Sequence, residues 1–249
     1  MYQAERESRI LEFLSAVRIA SPAQIQSITG ASIATVRRDL NQMARKGLIH
    51  RSHGYAQLAD APASAPPARF EEKMRIARIA ADQVRDGDVI FLGSGTTCTC
   101  LARCLKGKRD LTIVTINLDV VNDIVRLPNA KLSLLGGEVR VEPGYMETLD
   151  EYSLQLLKRL YFDKVFVTVD GIDFTFGYSI RKQLQLALFQ HLLRNSHEFY
   201  CLADASKFEK CTHVQLCQID DVRKIITTAD VAAKYAAKFA SLGVQVICT

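Results

Sequence analysis

Residues 32–48, SIATVRRDLNQMARKGL, decide the fold of the first part of this chain. Val36, Leu40 and Met43 recur after four and three residues, and this spacing predicts one helix with a single apolar stripe. Gly47 stands where a residue in the left-handed conformation ends a helix, because glycine has no side chain to oppose that conformation. The stretch therefore predicts an amphipathic helix whose apolar side is buried.

The polar side of this helix differs from an ordinary solvated surface. Ser32 is a favourable N-cap, and Asp39 is the one acidic residue in the stretch. The other polar residues are of the types that hydrogen-bond DNA phosphates and base edges, namely Thr35, Arg37, Arg38, Asn41, Gln42, Arg45 and Lys46. We predict that all of these except Asn41 and Lys46 contact DNA.

The neighbouring segments complete a winged helix-turn-helix. Helices are predicted at about Glu5–Val17 and from Ser21 to Thr29, and a short turn separates the second of them from the helix after Ser32. Residues 48–58 alternate in polarity and turn at Gly54, as a two-stranded wing does. In this motif the last helix enters the major groove. The wing residues expected on the DNA backbone are His50, Arg51 and His53.

Positive charge is concentrated in this part of the chain. Residues 1–57 hold eight Lys or Arg and four Asp or Glu, an excess of four within a formal net charge of +5. A three-helix domain that carries arginines by chance is the alternative, but it does not explain this concentration. We therefore expect a double-stranded DNA operator as a partner.

Composition sets limits on domains and compartment. The chain has 249 residues and 48% hydrophobic content, enough for two domains with their own cores. Residues 59–68 contain three prolines and little to bury, which predicts a linker between a DNA-binding domain at 1–58 and a second domain at 69–249. The sequence has no membrane-spanning run and no signal peptide, so we expect a cytoplasmic protein without a membrane partner.

Seven cysteines in a chain without an export signal are expected to be reduced thiols. Cys98, Cys100 and Cys104 are close enough in sequence to suggest a metal site. On a helix, however, Cys98 and Cys100 point about 200° apart, so the three cannot converge. We predict small buried apolar residues there, with no metal and no cofactor.

From residue 69 the pattern changes to helices that alternate with short apolar runs such as Val89–Leu92 and Lys164–Val169. Runs without polar alternation are typical of strands covered on both faces. The alternation predicts an α/β domain with a largely parallel sheet and helices on both sides, the first helix at Phe70–Val84.

Ligands bind at the carboxyl ends of strands in such sheets, so the loops after strands are the candidate site. Residues 93–97, GSGTT, combine two glycines, three hydroxyls and the start of a helix, which suits a phosphate group. A glycine turn without a ligand and a local Asp204–Lys207 ion pair are the alternatives. The predicted effector-binding residues are Ser94, Gly95, Thr96, Thr97, Gly136, Gly137, Asp170, Asp204 and Lys207.

Ordered motifs match a known family. SIATVRRDL from Ser32 matches the pattern S-x-x-T-[IV]-R-R-D-L, and GLIHRSHGYA from Gly47 departs at one position from a G-x-[IL]-x-R-x-H-G-G-A wing. Over nearly its whole length the chain resembles the DeoR family of bacterial transcriptional regulators. The further matches are Lys73 with Ile76-Ala77, Asp86-Gly87-Asp88, Ser94-Gly95-Thr96-Thr97, Leu135-Gly136-Gly137, Asp170-Gly171-Ile172-Asp173 and Asp204-Ala205-Ser206-Lys207-Phe208.

The resemblance implies a regulator, usually a repressor, of sugar or nucleoside catabolism genes. It implies that the C-terminal domain is similar to ribose-phosphate isomerases and coenzyme A transferases and senses a phosphorylated sugar. It also implies a homo-oligomer, a dimer or larger, that faces two DNA half-sites.

The sequence departs from the family at three places. Tyr55 replaces the second wing glycine, and Ile116 is an extra residue that could displace Asn117. The family's usual E-A-x-x-K on the helix after Asp170 is replaced by uncharged residues 184–189, LQLALF. A pocket without that Glu and Lys is expected to sense a different or less acidic ligand, or none.

Two other functions remain open at this stage. The α/β domain could be a sugar-phosphate isomerase with Asp170, Asp173 or Asp204 as its base, although an enzyme has no use for a basic winged helix. Alternatively, the protein could be a DNA-binding regulator whose pocket no longer functions.

Overall fold

The computed structural model describes residues 3–17, 19–52, 55–58, 67–125, 127–142 and 145–248. The chain divides into two compact units, Met1–Pro66 and Pro67–Thr249, each with its own hydrophobic core.

The N-terminal unit combines helices with a small antiparallel sheet. Its strands pair in the order β1-β3-β2, and the β2–β3 hairpin forms the predicted wing. The wing's turn, at His53 and Gly54, lies outside the described residues. Along the chain the elements are α1 (Gln3–Val17), β1 (Ile19–Ala20), α2 (Pro22–Thr29), α3 (Ile33–Arg45), β2 (Ile49–Ser52) and β3 (Tyr55–Leu58).

One apolar core holds this unit together. Ile10 and Leu14 of α1, Ile25 of α2, and Leu40 and Met43 of α3 are fully buried. Burial of each such side chain contributes about 1.5–3 kcal/mol. The apolar stripe of α3 therefore holds that helix against α1 and α2.

Both ends of α3 follow the signals in the sequence. Ser32 Oγ accepts a hydrogen bond from the amide of Thr35 at 3.2 Å, as an N-cap does. Gly47 has a φ of +71°, a conformation that glycine adopts without strain. The helix predicted within residues 32–48 is confirmed.

The C-terminal unit is an α/β fold. Its helices are α4 (Pro67–Asp82), α5 (Thr96–Cys104), α6 (Val121–Ile124), α7 (Glu151–Leu157), α8 (Leu184–Arg194) and α9 (Ala229–Ser241). Its strands are β4 (Val89–Leu92), β5 (Thr112–Thr115), β6 (Lys131–Leu134), β7 (Val139–Glu142), β8 (Tyr145–Thr148), β9 (Phe162–Thr168), β10 (Gly171–Asp173), β11 (Gly177–Ile180), β12 (Ser196–Leu202), β13 (Val214–Cys217), β14 (Lys224–Thr227) and β15 (Gln245–Cys248).

The main sheet is parallel and covered on both faces. Its strand order is β15-β14-β12-β9-β4-β5-β6, and each neighbouring pair is parallel. On β4, Phe91 belongs to the core that includes α8 and α9, whereas Ile90 and Leu92 belong to the core that includes α4 and α5. The predicted largely parallel α/β domain is confirmed.

Two antiparallel pieces are absent from the sequence prediction. One is the β7–β8 hairpin, and the other is a small sheet with the order β10-β11-β13. These strands are three or four residues long. Glycine or charged residues interrupt β7, β8, β10 and β11, and Gln215 interrupts β13, so none forms an apolar run that a periodicity analysis detects.

The start of the second unit also differs from the prediction. Helix α4 begins at Pro67, although the linker was expected to reach residue 68 and the helix to begin at Phe70. Proline is favoured in the first turn of a helix, because its missing amide would have no partner there. Residues 59–66 lie outside the described part of the chain, so the linker stays a prediction.

Candidate DNA-binding face and ligand cleft

The acidic residue of α3 is turned into the N-terminal unit. Asp39 is 1% exposed and accepts two hydrogen bonds from Arg6 of α1, from Nε to Oδ2 at 2.8 Å and from Nη2 to Oδ1 at 3.2 Å. This pairing raises the pKa of the Arg6 guanidinium above its ordinary value, with the hydrogen bond to Asp39 as the largest cause. The outer side of α3 is therefore left without negative charge.

The outer side of α3 is polar and cationic. At 100° per residue, Arg38, Asn41 and Arg45 lie opposite the buried stripe, and all three are exposed. No hydrogen bond or ion pair joins Arg37, Arg38 or Arg45 to another residue that the structure describes. Asn41 Oδ1 accepts a hydrogen bond from Nη1 of Arg51 on the wing. This face combines charge for phosphates with an amide for base edges.

Other predicted DNA contacts lie on the flanks of this face. Gln42 Oε1 accepts a hydrogen bond from Gln3 Nε2 at 2.6 Å, so this side chain is held by α1. The Thr35 hydroxyl lies 2.9 Å from the hydroxyl of Ser32 at the helix cap. His50 is exposed on β2. The prediction for His53 falls outside the described residues.

The ligand cleft of the second unit lies where the strand order of the sheet reverses direction. From β4 the chain continues to β5 and β6 on one side, and later to β9 and β12 on the other. The loops after β4 and β9 therefore diverge, and such a point is where ligands bind in open α/β sheets. A cleft of about 290 Å³ is lined here by Gly95, Thr96 and Thr97 after β4 and by Asp170 after β9.

The loop after β4 is built to leave helix amides free. Gly95 has a φ of +97° and is the N-cap residue of α5, with no side chain to occupy the first amides of that helix. A Cβ atom at Gly95 would lie 2.8 Å from Thr168 Oγ1. Asn117 braces the loop from below, since its Nδ2 lies 3.5 Å from the carbonyl oxygens of Gly93 and Gly95. Asn117 is therefore buried beneath the loop and does not itself line the cleft.

Four cationic side chains line the cleft. Lys73 Nζ donates to Thr96 Oγ1 at 2.8 Å and so lies at the mouth of the free helix amides. Burial lowers the pKa of the Lys207 ammonium below its ordinary value, although the nearby Asp204 and Asp170 act in the opposite direction. The complete set of lining cations is Lys73, Arg181, Lys182 and Lys207.

A buried carboxylate organises another part of the lining. Glu147 of β8 is 0% exposed and accepts from Lys182 Nζ at 2.8 Å and from Gln185 Nε2 at 3.2 Å. Lys182 and Gln185 themselves line the cleft, together with Tyr145. We call Glu147, Lys182 and Gln185 the Glu147 cluster. The cluster places a carboxylate and an ammonium group near the start of α8, although residues 184–189 of that helix are uncharged.

The structure brings together part of the predicted effector site. Gly95, Thr96, Thr97, Asp170 and Lys207 line the cleft. Ser94 lines a neighbouring apolar cavity of about 30 Å³ instead.

The remaining three predicted residues do not line the cleft. A Cβ at Gly137 would lie 2.7 Å from the Asp150 carboxylate, and the Gly136 carbonyl accepts from Ser153, so both glycines hold the start of α7. Asp204 is 1% exposed, and its Oδ1 accepts from the amide of Ser206 at 2.9 Å.

Sequence reasoning missed several residues of the lining. Lys73 could have been found, because it belongs to a motif already matched. Thr168 and Val169 end a strand that was predicted, but they are not of a residue type that marks a binding loop. The others come from the β7–β8 hairpin, the turn before α8 and the first turn of α8, and only the tertiary structure brings them to the cleft. The missed lining residues are Lys73, Tyr145, Thr168, Val169, Arg181, Lys182 and Gln185.

Cys98 and Cys100 are small buried groups as predicted, whereas Cys104, at the end of α5, is only partly buried. Cys98 and Cys100 are 0% and 3% exposed, and burial raises the pKa of the Cys98 thiol to about 12. Among the described residues, no group of three or more His, Cys, Asp or Glu side chains could hold a metal ion. Within the same residues, no helix is long and apolar enough to cross a membrane.

Both units match family models. Residues 6–61 match the DeoR-like helix-turn-helix domain, and residues 68–229 match the DeoR C terminal sensor domain. Together with the geometry above, these matches define a transcriptional regulator with an N-terminal DNA-binding unit and a C-terminal sensor unit. The chain belongs to the DeoR family.

Relatives with assigned roles are repressors or regulators. The chain is 30% identical over 234 residues to the glycerol-3-phosphate regulon repressor of Escherichia coli, with 92% of each chain covered. It is 26% identical to the HTH-type transcriptional regulator IolR of Bacillus subtilis, with 90% of each covered. It is 34% identical over 204 residues to the lactose phosphotransferase system repressor of Staphylococcus epidermidis, with 78% of this chain and 79% of that one covered.

Solved structures give weaker matches. The probable sor operon regulator from Shigella flexneri matches with a TM-score of 0.46 and 10% identity, over 68% of this chain and 88% of that one. Ribose 5-phosphate isomerase from Plasmodium falciparum matches with a TM-score of 0.39 and 18% identity, over 57% of this chain and 54% of that one.

Proposed function

We propose that this protein is a sequence-specific DNA-binding repressor of a carbohydrate catabolism operon, and that a phosphorylated sugar in the cleft of the C-terminal unit controls its affinity for DNA. Helix α3 is the recognition helix, and residues 59–66 link the two units. The observation that carries DNA binding is the outer side of α3, where Arg38, Asn41 and Arg45 lie exposed and the helix's only carboxylate is bound to Arg6.

Arg38 and Arg45 have the reach and charge for major-groove guanines or phosphates, and Asn41 has the paired donor and acceptor that read adenine. Arg37, Gln42 and Thr35 are placed at the flanks, and His50 and Arg51 on the wing meet the backbone. Gln42 must leave Gln3 to read a base. Asn41 lies on the outer side itself, where its Oδ1 accepts from Arg51 of the wing.

The operator is expected to contain two half-sites. A single recognition helix covers few base pairs, and a symmetric dimer would present two such helices to an inverted repeat, about one helical turn or a multiple of it apart. We propose a dimer or a larger even oligomer as the active unit. Two of the relatives named above are repressors, which supports repression as the mode of action.

The effector proposal rests on the charges in the cleft. Free amides of α5 and two lysines, Lys73 and Lys207, surround a space that a phosphate group fits. A ligand that couples to DNA binding by about 1–3 kcal/mol changes operator affinity by about 5- to 150-fold, which is sufficient for regulation.

We propose that the cleft binds this ligand without turning it over. The carboxylates considered as isomerase bases are engaged in the structure of their own loops. Asp170 accepts from the amide and the guanidinium of Arg181, and Asp173 accepts from two turn amides that lower its pKa. The lowered pKa makes Asp173 a weaker base, and the two hydrogen bonds from Arg181 occupy Asp170. Ribose 5-phosphate incubated with the full-length protein should show no conversion to the ketose.

The direct test is to select duplexes from random DNA with the full-length protein and to measure affinity for the selected site by fluorescence anisotropy. A panel of sugar phosphates is then added to the complex. Selection of an inverted repeat, and release by a phosphorylated sugar but not by its unphosphorylated form, would support the proposal. Binding that does not discriminate between the selected and a scrambled duplex would refute it.

A further inference from the structure

We infer that the cleft is selective for a sugar or polyol with a single phosphate, and that the Glu147 cluster excludes a second phosphate. This inference rests on the proposed function, because it concerns the same cleft. It depends on a difference among the lining lysines: in the described part of the chain, Lys73 and Lys207 have no carboxylate bound to them, whereas Lys182 is bound to Glu147.

Lys73 and Lys207 are the cations available to an anion. Neither forms an ion pair with a residue in the described ranges, and the two are close enough to affect each other's charge. Lys73 is already at the Thr96 hydroxyl, beside the free amides of α5. Two positive charges and a helix start balance one phosphate dianion.

Lys182 is not available in the same way. Its partner Glu147 is fully buried, with a second hydrogen bond from Gln185. If a second phosphate drew Lys182 away, Glu147 would remain as a buried carboxylate without a cation, which is a costly arrangement. A second phosphate close to the Glu147 carboxylate would also be repelled.

What this part of the lining offers instead is hydrogen bonding to neutral groups. Gln185 Nε2 is committed to Glu147, so its Oε1 is the atom left to accept from a hydroxyl. Tyr145, which is uncharged, lines the same cleft. Arg181 donates through Nη2 to Asp170 at 3.1 Å, so a phosphate near this guanidinium would also lie near a carboxylate that repels it. Sugar or polyol hydroxyls fit these groups, and a phosphate does not.

The test compares matched pairs of probes by calorimetry with the full-length protein. The pairs are fructose 6-phosphate with fructose 1,6-bisphosphate and ribose 5-phosphate with ribose 1,5-bisphosphate. We expect the monophosphate of any pair that binds to be favoured by about tenfold or more. A bisphosphate that binds as tightly as its monophosphate would overturn the inference and leave the proposed function intact. If no phosphate ester binds at all, both fail.

Two variants test whether the Glu147 cluster causes the preference for the monophosphate. Glu147→Gln keeps the shape and a hydrogen-bond acceptor but releases Lys182, so it should move the preference toward the bisphosphate. The double variant Glu147→Gln with Lys182→Gln removes the released charge and should restore the preference for the monophosphate. An unchanged ratio in folded Glu147→Gln protein would overturn the inference. If that variant does not fold, the ratio of monophosphate to bisphosphate affinity in the unmodified protein still tests the inference.

Discussion

Arg6 and Asp39 join the first helix of the chain to the recognition helix through two hydrogen bonds in a nearly buried ion pair. The pair removes the only carboxylate of α3 from the surface that faces away from the core. Asp39 lies on the same side of α3 as the buried Val36, Leu40 and Met43, so Arg38, Asn41 and Arg45 lie outward. One contact thus serves both the fold of this unit and its proposed interface.

Asp39→Asn should therefore lower the thermal stability of the N-terminal unit and weaken operator binding together, although it adds positive charge to the unit. Arg6→Lys keeps the charge but not the paired geometry, and an intermediate effect is expected. Glu7→Gln is the matched control, because its ion pair with Lys46 is more exposed and stabilises less. Melting curves and anisotropy measure the two effects. An Asp39→Asn protein that binds its operator more tightly would contradict this role.

Arg38→Ala should lower operator affinity by about 1–3 kcal/mol if the guanidinium reads a base, because one bidentate contact is lost. If Arg38 binds a phosphate instead, affinity falls equally for all DNA sequences. The slope of log affinity against log salt concentration then becomes shallower by about one. Arg194→Ala, which removes an exposed arginine from the end of α8, is the control. Equal affinity of the Arg38→Ala and Arg194→Ala proteins would place Arg38 outside the interface.

Gly95→Ala should abolish the response to sugar phosphate and leave DNA binding intact. The new Cβ would meet Thr168 Oγ1 at 2.8 Å, and the φ of +97° adds backbone strain of about 1–3 kcal/mol. Gly107→Ala is a close control, because Gly107 has a φ of +95° but open space around it. Calorimetry with a phosphorylated sugar should show loss of binding in the first variant alone. Loss in both would point to general destabilisation instead.

Effector affinity should fall at alkaline pH. Burial lowers the pKa of Lys207, so this lysine loses its charge at a lower pH than an ordinary lysine does. A phosphate dianion binds the protonated form, so affinity is highest below this pKa and declines as the pH rises through it. The ligand's own second ionisation, near pH 6, is already complete in this range.

Lys207→Arg should keep the affinity near neutral pH and remove this alkaline decline, because arginine stays protonated. Lys207→Met should bind weakly at every pH. Titrations at several pH values measure both variants against the unmodified protein. A decline of equal size in the Lys207→Arg protein would assign the titration to a group other than Lys207.

Two thiols should react quickly with a disulfide reagent at pH 8. Cys211 and Cys248 are exposed, whereas Cys98, Cys100 and Cys201 are buried and have raised pKa values, which keeps them protonated. Cys104 and Cys217 are partly buried with raised pKa values, and slow reaction is expected. The number of thiols that react before and after unfolding shows how many cysteines are exposed, partly buried and buried. Rapid reaction of Cys98 would show that the α5 segment opens in the native protein.

Local features of the sequence were enough for most of the fold. The apolar spacing of α3, the Ser32 cap and the run Val89–Leu92 each act within a few residues, so a single sequence carries their signal. The same holds for the glycine loop after β4, because a turn, hydroxyls and a helix start are all neighbours there. Prediction failed where strands are short, as in β7, β8 and β10, and pairing with distant segments stabilises them.

The tertiary structure alone decided which charges meet. Glu147 and Lys182 are 35 positions apart, and no local pattern links them, yet their pair replaces the charge that the uncharged residues 184–189 lack. Arg6 and Asp39 are 33 positions apart, and only the packing of α1 against α3 brings the guanidinium to the carboxylate that the helix spacing buries. Hydrophobic periodicity specifies which side of an element is buried. Partners for buried charges depend on how whole elements pack, because a charge is stabilised by whatever lies within a few ångströms of it.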